Sequence, residues 1–347
     1  MGNTMTEWSR EKRKGRRRRL KIVILGILLV ILAIGSYGVY AFLNVYKAAN
    51  ESYHPIDRGS HSKLRESDVT IGKNPISILL LGIEDYSMGG KNGHTDTMIV
   101  VTLNPHTNKM TMTSIPRDTR VPLASHNGEM YKINAAYTYG ETTGYGGVKG
   151  AIDTVEGYLG IPIDYYITIN FKGFVDLINE IGGVDVDVPF NFWEKDIFNH
   201  NKHINFVKGP MHLNGNEALA YVRMRKRDKR GDFGRNDRQR QVIKAAISKA
   251  VSAKTIFKVD EIASILGKNI QTNLKPSEIY ALERAYSNIS QSEIVSFRLD
   301  DKGHGETINK EWFLVPDMEK VQTVSEALRN ELELNTGTAA TTTNNVQ

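Results

Sequence analysis

The chain has 347 residues, a formal net charge of +6, a pI near 9.2 and no cysteine. The lack of cysteine excludes disulfide bonds, thiol catalysis and cysteine metal sites. Residues 1–21 contain nine Lys/Arg and two Glu, a local charge of +7, so the rest of the chain carries about −1. The basic pI therefore belongs to the N-terminal tail and not to the body of the protein.

A long apolar stretch follows this tail. Leu20–Leu43 is interrupted by charge only at Lys21, and about 20 apolar residues suffice to span a bilayer. We interpret residues 1–21 as a cytoplasmic basic tail and 22–43 as an uncleaved transmembrane helix, which places the remainder outside the cell. A cleaved signal peptide is the alternative, but its apolar region is shorter and ends at a small-residue site. Nucleic-acid binding by the tail is a second alternative, and anionic lipid headgroups beside a membrane span explain the charge better.

The remainder alternates between apolar runs of strand length and amphipathic segments. Residues 44–73 are polar with weak periodicity, which predicts a linker, and a helix in its first half is the alternative. We predict strands at 76–83, 97–105, 109–115, 164–171, 184–189 and 294–300. We predict helices at 147–160, 171–183, 241–270 and 276–289 and a closing helix from 316. The alternation predicts one α/β domain over residues 74–331, followed by a disordered tail at 332–347.

A glycine-rich loop between the first two predicted strands carries three carboxylates, Glu84, Asp85 and Asp96. Because the loop joins consecutive strands, its acidic groups emerge at one edge of the sheet. Carboxylates in this setting suit Mg²⁺, which takes oxygen ligands and often completes its shell with phosphate and water. The alternative is that Asp96 shapes a turn and that Glu84 and Asp85 are solvated.

Basic residues recur after this loop. Arg117 and Asp118 stand in SIPRDTR at the end of a predicted strand, and Lys132 stands in YKINAAY. The segment Tyr221–Gln241 then contains two aspartates, Asp232 and Asp237, and a cluster of seven arginines: Arg223, Arg225, Arg227, Arg230, Arg235, Arg238 and Arg240. Guanidinium groups match phosphate oxygens well, so the cluster suggests a pyrophosphate site. A solvated basic helix is the alternative.

The order and spacing of these motifs resemble the LytR–CpsA–Psr (LCP) family of cell-wall glycopolymer transferases. The resemblance covers about residues 74–331 and includes LGIPIDYYITINFKGFVDLINEIGGVDVDVP and GPMHLNGNEALAYVRMR. It implies a layered α/β domain of LCP type, with a central mixed β-sheet flanked by helices, anchored by one transmembrane helix in a Gram-positive-type cell membrane. It also implies Mg²⁺-dependent transfer of an anionic polymer (teichoic acid, capsule or secondary wall polysaccharide) from a polyprenyl pyrophosphate carrier to peptidoglycan.

The resemblance assigns roles by position. It places Mg²⁺ on Glu84 and Asp96, and an acceptor-orienting and secondarily basic role on Asp232. The remaining residues contact the pyrophosphate: Arg117, Arg223, Arg225 and Arg235 as catalytic groups, and Lys132, Arg238 and Gln239 as substrate-binding groups. Two positions depart from the family pattern. Glu84 stands where Asp is usual and is followed by Asp85, so either can be the metal ligand, and His94 replaces the usual Arg.

Three further interpretations concern the lipid, the acceptor and the class of protein. Phe171, Phe174, Val175 and Ile178 either line a slot for the polyprenyl tail or form core. Phe192, Trp193 and Phe198 either form a sugar platform or pack. The competing functions are hydrolysis of the lipid pyrophosphate and a non-catalytic envelope regulator. The sequence contains no helix-turn-helix pattern, so we expect no nucleic-acid partner.

Overall fold

The computed structural model describes residues 40, 43–44, 46–84, 93–199, 202–250, 269–286, 294–299 and 303–334. The chain divides into two compact units, Met1–Lys47 and Ala48–Gln347, and all labelled elements belong to the second. The predicted basic tail lies outside the described residues, as do residues 335–347 and the predicted transmembrane helix except at residues 40 and 43. Among the described residues, no helix has the length and apolar character needed to cross a membrane.

The described strands are numbered in chain order. They are β1 (Ile76–Glu84), β2 (His94–Asn104), β3 (Lys109–Ser114), β4 (Arg120–Pro122), β5 (Met130–Lys132), β6 (Tyr165–Asn170), β7 (Val184–Val188), β8 (Phe192–Lys195), β9 (His203–Phe206), β10 (Gly209–Leu213), β11 (Ile270–Thr272), β12 (Ile294–Arg298), β13 (His304–Ile308) and β14 (Glu311–Val315). The helices are α1 (Ala135–Thr143), α2 (Gly147–Leu159), α3 (Phe171–Glu180), α4 (Gly215–Arg223), α5 (Asp232–Ala250), α6 (Pro276–Tyr286) and α7 (Met318–Glu331).

Six strands form the central sheet, in the order β11–β6–β1–β2–β3–β12. β1 pairs antiparallel with β2 and parallel with β6, and β12 pairs parallel with β3. The sheet is therefore mixed, as predicted. The other strands form two-stranded pairs: β4–β5, β7–β10, β8–β9 and β13–β14.

Helices cover both faces of this sheet because its central strands are apolar on both sides. In β1, Leu79 and Leu81 face a core built with α1, α2 and α7, whereas Ile76 and Ile78 face a core on the side of α5 and α6. A continuous apolar run is typical of a strand buried on both faces. A further core joins α3, α4 and α5 to the hairpins after α3.

The predicted helices at 147–160, 171–183 and from 316 are confirmed, and the one at 276–289 is confirmed as far as Tyr286, beyond which residues 287–289 lie outside the described residues. The helix predicted at 241–270 is wrong in its bounds. Helix α5 starts at Asp232, and Ile270 belongs to β11, while residues 251–268 lie outside the described residues. The early start follows from Gly231, whose φ of 57° breaks the chain before the helix, and from Asp232, whose charge suits a helix N-terminus. The many charged residues of the arginine cluster obscure the apolar periodicity from which a helix is predicted.

The segment predicted as a linker is attached to the domain. Arg65 donates from Nε to Asp164 Oδ1 (2.9 Å) and from Nη2 to Asp164 Oδ2 (2.7 Å). The same carboxylate accepts from the backbone N of Ser77 at the start of β1 (2.9 Å). The two side chains are 9% and 3% exposed, so this ion pair is buried and fixes residue 65 against the sheet.

We expect Asp164→Ala to lower the free energy of unfolding by about 3–5 kcal/mol, because it leaves the buried Arg65 guanidinium without its counter-charge. Equilibrium denaturation with urea measures this change. Asp176→Ala is the matched control, since Asp176 pairs with the exposed Lys172 within α3, and its effect should stay within about 0.5 kcal/mol. Equal effects of the two substitutions would contradict the structural role of Asp164.

Candidate active site

An apolar cavity of about 490 Å³ lies between the central sheet and helices α3, α4 and α5. The sheet contributes Ile78, Leu80, Val101, Ile167 and Ile169, and the helices contribute Phe171, Phe174, Leu177, Ile178, Leu219, Val222, Val242 and Ala246. Along α5 the lining extends from Arg235 to Ile247, about 18 Å at 1.5 Å per residue. The cavity is therefore elongated and apolar.

Three of the four residues proposed for a lipid slot line this cavity. Phe171, Phe174 and Ile178 do so, whereas Val175 packs into the core between α3 and α4. Their helical spacing alone did not distinguish core from cavity.

One end of the cavity is polar. Asp96 of β2, Arg223 at the end of α4, and Arg235 and Gln239 of α5 all line it. These are four of the predicted site residues, and they come from three separate elements. The Arg223 guanidinium carbon also lies 5.1 Å from the centre of the Phe171 ring, so that guanidinium stands where the apolar wall meets the polar end.

A β-bulge aims Asp96 into the cavity. Gly82 pairs with Thr97 and Ile83 pairs with Thr95, so Asp96 is the extra residue of β2. Bulges of this kind redirect a side chain at the end of a ladder. Gly82 is required opposite the bulge, because a Cβ there would lie 2.9 Å from Thr97 Cβ. The result is that Asp96 and Thr97 both face the cavity.

Backbone hydrogen bonds join the SIPRDTR and YKINAAY motifs. Ile133 N donates to Thr119 O (2.8 Å), and Asn134 N donates to Arg117 O (3.2 Å). Strands β4 and β5 extend this pairing, with Arg120 opposite Lys132. Two motifs separated in sequence are thus one structural unit beside the polar end of the cavity.

Arg117 is the hub of the ion pairs at this end. Its Nη1 donates to Asp96 Oδ1 (2.6 Å), and its Nε lies 3.5 Å from Asp118 Oδ2 and 3.9 Å from Asp232 Oδ2. Burial lowers the pKa of Arg117, but these three carboxylates outweigh it and hold that pKa above its usual value. The guanidinium is therefore charged at every accessible pH.

Asp118 and Asp232 form a carboxylate pair. Arg225 Nη1 lies 3.7 Å from Asp118 Oδ2 and 3.6 Å from Asp232 Oδ2, so it contacts the same two oxygens as Arg117 Nε. Arg235 Nη2 lies 3.1 Å from the other oxygen of Asp232. The sequence placed Asp118 in a motif but assigned it no role, and its position next to Arg117 was the available signal.

The two carboxyls have opposite pKa shifts. Burial, followed by the hydrogen bond with Asp232, raises the pKa of Asp118. Burial also raises the pKa of Asp232, but Arg235, the hydrogen bond from Asp118, Arg117 and Arg225 together hold it below the ordinary value. On acidification Asp118 therefore takes the first proton, and Asp232 stays ionised.

Arg235 has hydrogen-bonding capacity that the described residues do not use. Its side chain is 5% exposed, and neither Nε nor Nη2 has a hydrogen-bond partner within the described part of the chain. Asp232 Oδ1 is close to Nη2 but not aligned to accept. Burial lowers the pKa of Arg235, and the nearby Arg117 and Arg225 charges add to this effect while Asp232 opposes it. Buried donors without acceptors are costly, so this guanidinium is suited to an anionic ligand.

Arg238 faces another direction. It is 2% exposed, and its guanidinium donates to Asp228 Oδ2 (2.6 Å), to Tyr221 O (3.1 Å) and to Met224 O. The side chain does not line the apolar cavity. Its assignment to substrate stays a prediction, and its bonds give it a positioning role for the segment that carries Arg223 and Arg225. Asp228, which the sequence did not single out, is its partner.

Lys132 and His94 flank the site. Lys132 Nζ lies 3.8 Å from Asp118 Oδ1 and 3.9 Å from Glu311 Oε2, so the predicted basic residue adjoins the carboxylate pair. His94 pairs with Glu84 across the sheet, and its Nδ1 lies 3.1 Å from Thr138 Oγ1. The imidazole that replaces the usual Arg is thus attached to α1.

The donor set at the predicted metal position is one that Mg²⁺ accepts. Glu84 ends β1 and Asp96 occupies the bulge opposite, while Asp85 lies outside the described residues. Arg117 uses only Oδ1 of Asp96, which leaves Oδ2 for a cation. No group of three or more His, Cys, Asp or Glu suited to a metal occurs in the part of the chain that is described. Mg²⁺ commonly uses one or two protein carboxylates together with phosphate and water.

The proposed aromatic platform is largely occupied. The Arg227 guanidinium carbon lies 3.4 Å from the centre of the Trp193 ring, and the His203 ring stacks on Trp193 with centroids 4.1 Å apart. Two groups this close cannot share one face, so both faces of Trp193 are covered. Phe192 is buried against Phe206. Packing is the role that the structure gives these two rings, and Arg227 is part of it and not a solvated charge.

Comparisons with known proteins agree with this architecture. A sequence model of the LytR_cpsA_psr family matches residues 39–330. The chain belongs to this family. Among its relatives, the polyisoprenyl-teichoic acid–peptidoglycan teichoic acid transferase TagV of Bacillus subtilis is 44% identical over 326 residues, which cover 94% of this chain and 81% of TagV.

Solved structures of the family show the same fold. The crystal structure of B. subtilis TagV superposes with a TM-score of 0.65 at 46% identity, covering 76% of this chain and 99% of TagV. The structure of TagT bound to LIIa-WTA superposes with a TM-score of 0.66 at 31% identity, covering 81% of this chain and all of TagT, 100%. The predicted LCP-type domain with a central mixed sheet flanked by helices is confirmed.

The raised pKa of Asp118 predicts a pH-dependent gain in stability for Asp118→Asn. Because the folded protein holds the Asp118 proton more tightly than the unfolded chain, the wild-type carboxyl costs stability once the pH rises through its folded pKa. The uncharged amide avoids this cost. We therefore expect Asp118→Asn to have a higher melting temperature than wild type at pH 7 and no advantage at pH 3. A gain of equal size at both pH values would contradict the raised pKa.

Proposed function

We propose that this protein is a phosphotransferase that attaches an anionic glycopolymer from a polyprenyl pyrophosphate carrier to peptidoglycan. One observation carries the proposal: a cluster of arginines and carboxylates stands at the polar end of an elongated apolar cavity. A ligand that fills both parts has a charged oxyanion head and a long hydrocarbon tail. A polyprenyl pyrophosphate has this composition.

The relatives support the same reading. TagV and the TagU proteins carry names that specify transfer of teichoic acid from a polyisoprenyl carrier to peptidoglycan. We extend that activity to this chain because the matched region includes the arginine segment and both upstream motifs. Teichoic acid is the polymer class that the names favour over capsule.

In the proposed reaction, an acceptor hydroxyl oxygen of peptidoglycan attacks the phosphorus that bears the polymer. A phosphodiester bond forms, the bond from that phosphorus to the bridging oxygen breaks, and polyprenyl phosphate leaves. Arg117, Arg223, Arg225 and Arg235 hold the pyrophosphate oxygens, with Lys132 and Gln239 at the edge of the same group. Phosphoryl transfer depends mostly on such positioning and charge neutralisation.

Glu84 and Asp96 are the residues proposed to hold Mg²⁺, which when bound neutralises charge on the pyrophosphate oxygens. Arg117 connects this position to the carboxylate pair, because it donates to Asp96 and contacts both Asp118 and Asp232. The acidic and basic halves of the site are therefore coupled through one guanidinium.

Asp232 is proposed to orient the acceptor hydroxyl and to receive its proton. The low pKa of Asp232 keeps it ionised and makes it a weak base in the free protein. Pyrophosphate binding would engage the arginines that now lower this pKa, which raises the basicity of Asp232 when the acceptor arrives. Protonated Asp118 can donate a hydrogen bond to the Asp232 carboxylate, which would orient it.

The proposal includes a location. We infer that residues 22–43 anchor the protein by a single membrane span, with the catalytic unit on the outer side, since a polyprenyl carrier resides in the membrane.

The decisive experiment follows the product. Full-length protein is incubated with labelled lipid-linked glycopolymer, peptidoglycan oligomers and Mg²⁺. Label joined to the oligomers by a phosphodiester is the expected result. Label released only as free glycan phosphate would identify a hydrolase instead, and unreacted donor would leave the protein as a binding or regulatory member.

Asp232→Asn should lower the transfer rate by about 10²–10⁴-fold, the range for loss of a general base. Binding of polyprenyl pyrophosphate should be retained or tightened, since a negative charge beside the phosphates is removed. Turnover assays and equilibrium binding measure the two effects separately. Asp57→Asn, on an exposed residue outside the site, is the control. Wild-type turnover in the Asp232 variant would remove Asp232 from the mechanism.

The apolar cavity can be tested by filling it. Ala246→Trp places an indole in the cavity, and Ser248→Trp places one on the exposed side of the same helix. We expect at least a 10-fold rise in KM for donors with long polyprenyl chains in the first variant only, a loss of about 1.4 kcal/mol of binding. Donors with a short chain should be affected less. Equal KM values for both variants would place the lipid tail elsewhere.

A further inference from the structure

Asn170 lies between β6 and α3 and lines the apolar cavity, but the proposed reaction does not use it. It is the N-cap of α3, and its Oδ1 accepts a hydrogen bond from the backbone N of Gly173 (2.8 Å). This bond assigns the two ends of the amide, because only the oxygen can accept from a backbone N–H. Oδ1 is therefore engaged with the helix, and Nδ2 is the polar end of the side chain that remains for the cavity.

The Nδ2 group of Asn170 has no hydrogen-bond partner among the described residues. A donor in a mostly apolar cavity is satisfied only by water or by a ligand oxygen. Arg235 lines the same cavity, is 5% exposed, and has two guanidinium nitrogens without hydrogen-bond partners in the described part of the chain. Two separate elements, the start of α3 and the first turn of α5, thus leave N–H donors for a ligand with oxygen acceptors.

The register of the central sheet places Asn170 at the polar end of this cavity. Asn170 pairs with Ile83 of β1, and Ile83 pairs in turn with Thr95 of β2. Asp96 is the next residue of β2, so Asn170 and Asp96 lie at the same edge of the sheet, on either side of β1. Strands β6 and β2 are two strand spacings apart, about 10 Å. A charged ligand head at this edge therefore lies within reach of both side chains.

Asn170 also stands where the polar end meets the apolar walls. Its neighbours in sequence, Ile169 and Phe171, both line the cavity with apolar side chains. Arg223, which is proposed to hold the pyrophosphate, has its guanidinium carbon 5.1 Å from the centre of the Phe171 ring. Asn170 and Arg223 are thus both next to Phe171. A phosphate bound beside this ring is the one to which the hydrocarbon is attached.

We infer that Asn170 is a further substrate-binding residue, which donates from Nδ2 to an oxygen of the phosphate that carries the polyprenyl chain. The inference rests on the proposed function, which supplies a phosphate joined to a hydrocarbon tail. In that reaction the bridging oxygen stays with this phosphate, and negative charge develops on it as polyprenyl phosphate leaves. A fixed amide donor stabilises this charge, and the positive end of the α3 dipole acts in the same direction.

Asn170→Asp tests the contact with little change of shape. Aspartate caps a helix as well as asparagine does, but it replaces the Nδ2 donors with an anionic oxygen that repels phosphate. Asn214→Asp is the matched control, because Asn214 caps α4 by accepting from the backbone N of Glu217 (3.1 Å), is exposed and does not line the cavity. Thermal melting shows whether each variant is folded. Asn170→Ser, which keeps a capping oxygen and adds no charge, serves if the aspartate variant is not folded.

Binding to the full-length protein is measured by calorimetry with three ligands that share one tail: geranylgeraniol, geranylgeranyl monophosphate and geranylgeranyl pyrophosphate. We expect Asn170→Asp to bind the monophosphate and the pyrophosphate about 10–100-fold more weakly than wild type, the range for loss of a hydrogen bond to a charged group. Geranylgeraniol should bind both proteins equally. Asn214→Asp should match wild type with all three ligands, and Asn170→Ser should show the Asn170→Asp pattern with a smaller loss.

Each other pattern overturns the inference. Weaker binding of the pyrophosphate alone would assign Asn170 to the phosphate that bears the polymer. Weaker binding of geranylgeraniol as well would indicate a change in the cavity, and unchanged binding of all three would remove Asn170 from the substrate site.

A transfer assay on wild type separates this inference from the proposed function. If no transfer occurs while the three ligands bind as expected, the proposed function fails and the phosphate contact stands. If transfer occurs but Asn170→Asp binds the phosphates as wild type does, the proposed function stands and the role of Asn170 fails.

Discussion

One buried ion pair holds the candidate active site together. Arg238 of α5 bonds to Asp228 and to the carbonyl oxygens of Tyr221 and Met224, so it joins the end of α4, the loop after it and the next helix. Gly234 belongs to the same arrangement, because a Cβ there would lie 1.8 Å from Asp228 Oδ2. With this segment closed, Arg223 and Arg225 on one side of the loop face Asp232 and Arg235 on the other. Breaking a buried pair of this kind costs about 3–5 kcal/mol. The geometry of the site therefore depends on this pair.

The site keeps its arginines close by placing carboxylates between them. Asp96 and Asp232 neutralise part of the charge of Arg117, Arg225 and Arg235. Unbalanced buried charge would otherwise be expensive. Arg235 retains N–H donors that have no acceptor in the described part of the chain. The positive charge of the arginines is therefore not fully neutralised, which favours binding of an anion. The opposite pKa shifts of Asp118 and Asp232 follow from the same crowding, since two neighbouring carboxylates do not both ionise freely.

Much of this could be predicted from the sequence, and the rest depends on contacts that span the chain. Local apolar patterns predict strand β1 and helices α2, α3 and α7. The motifs around Arg117 and Arg235 indicate a phosphate-binding site. The roles of Asp118 and Asp228 could not be predicted, because each depends on a partner elsewhere in the fold. The start of α5 was obscured because charged residues occupy both of its faces. The sequence left open whether Trp193 forms a sugar platform or packs, and only the fold brings Arg227 and His203 onto its two faces.

Helix α5 lines the apolar cavity with one of its faces, which includes Val242 and Ala246. Inserting or deleting one residue between Arg235 and Ala246 would rotate everything beyond that point by about 100°. Arginine and lysine would then enter the hydrocarbon space, and valine and alanine would leave it. This stretch can therefore change its side chains one at a time, but its length is fixed. Divergence within such a helix is expected to proceed by substitution alone, while insertions and deletions accumulate in the loops at its ends.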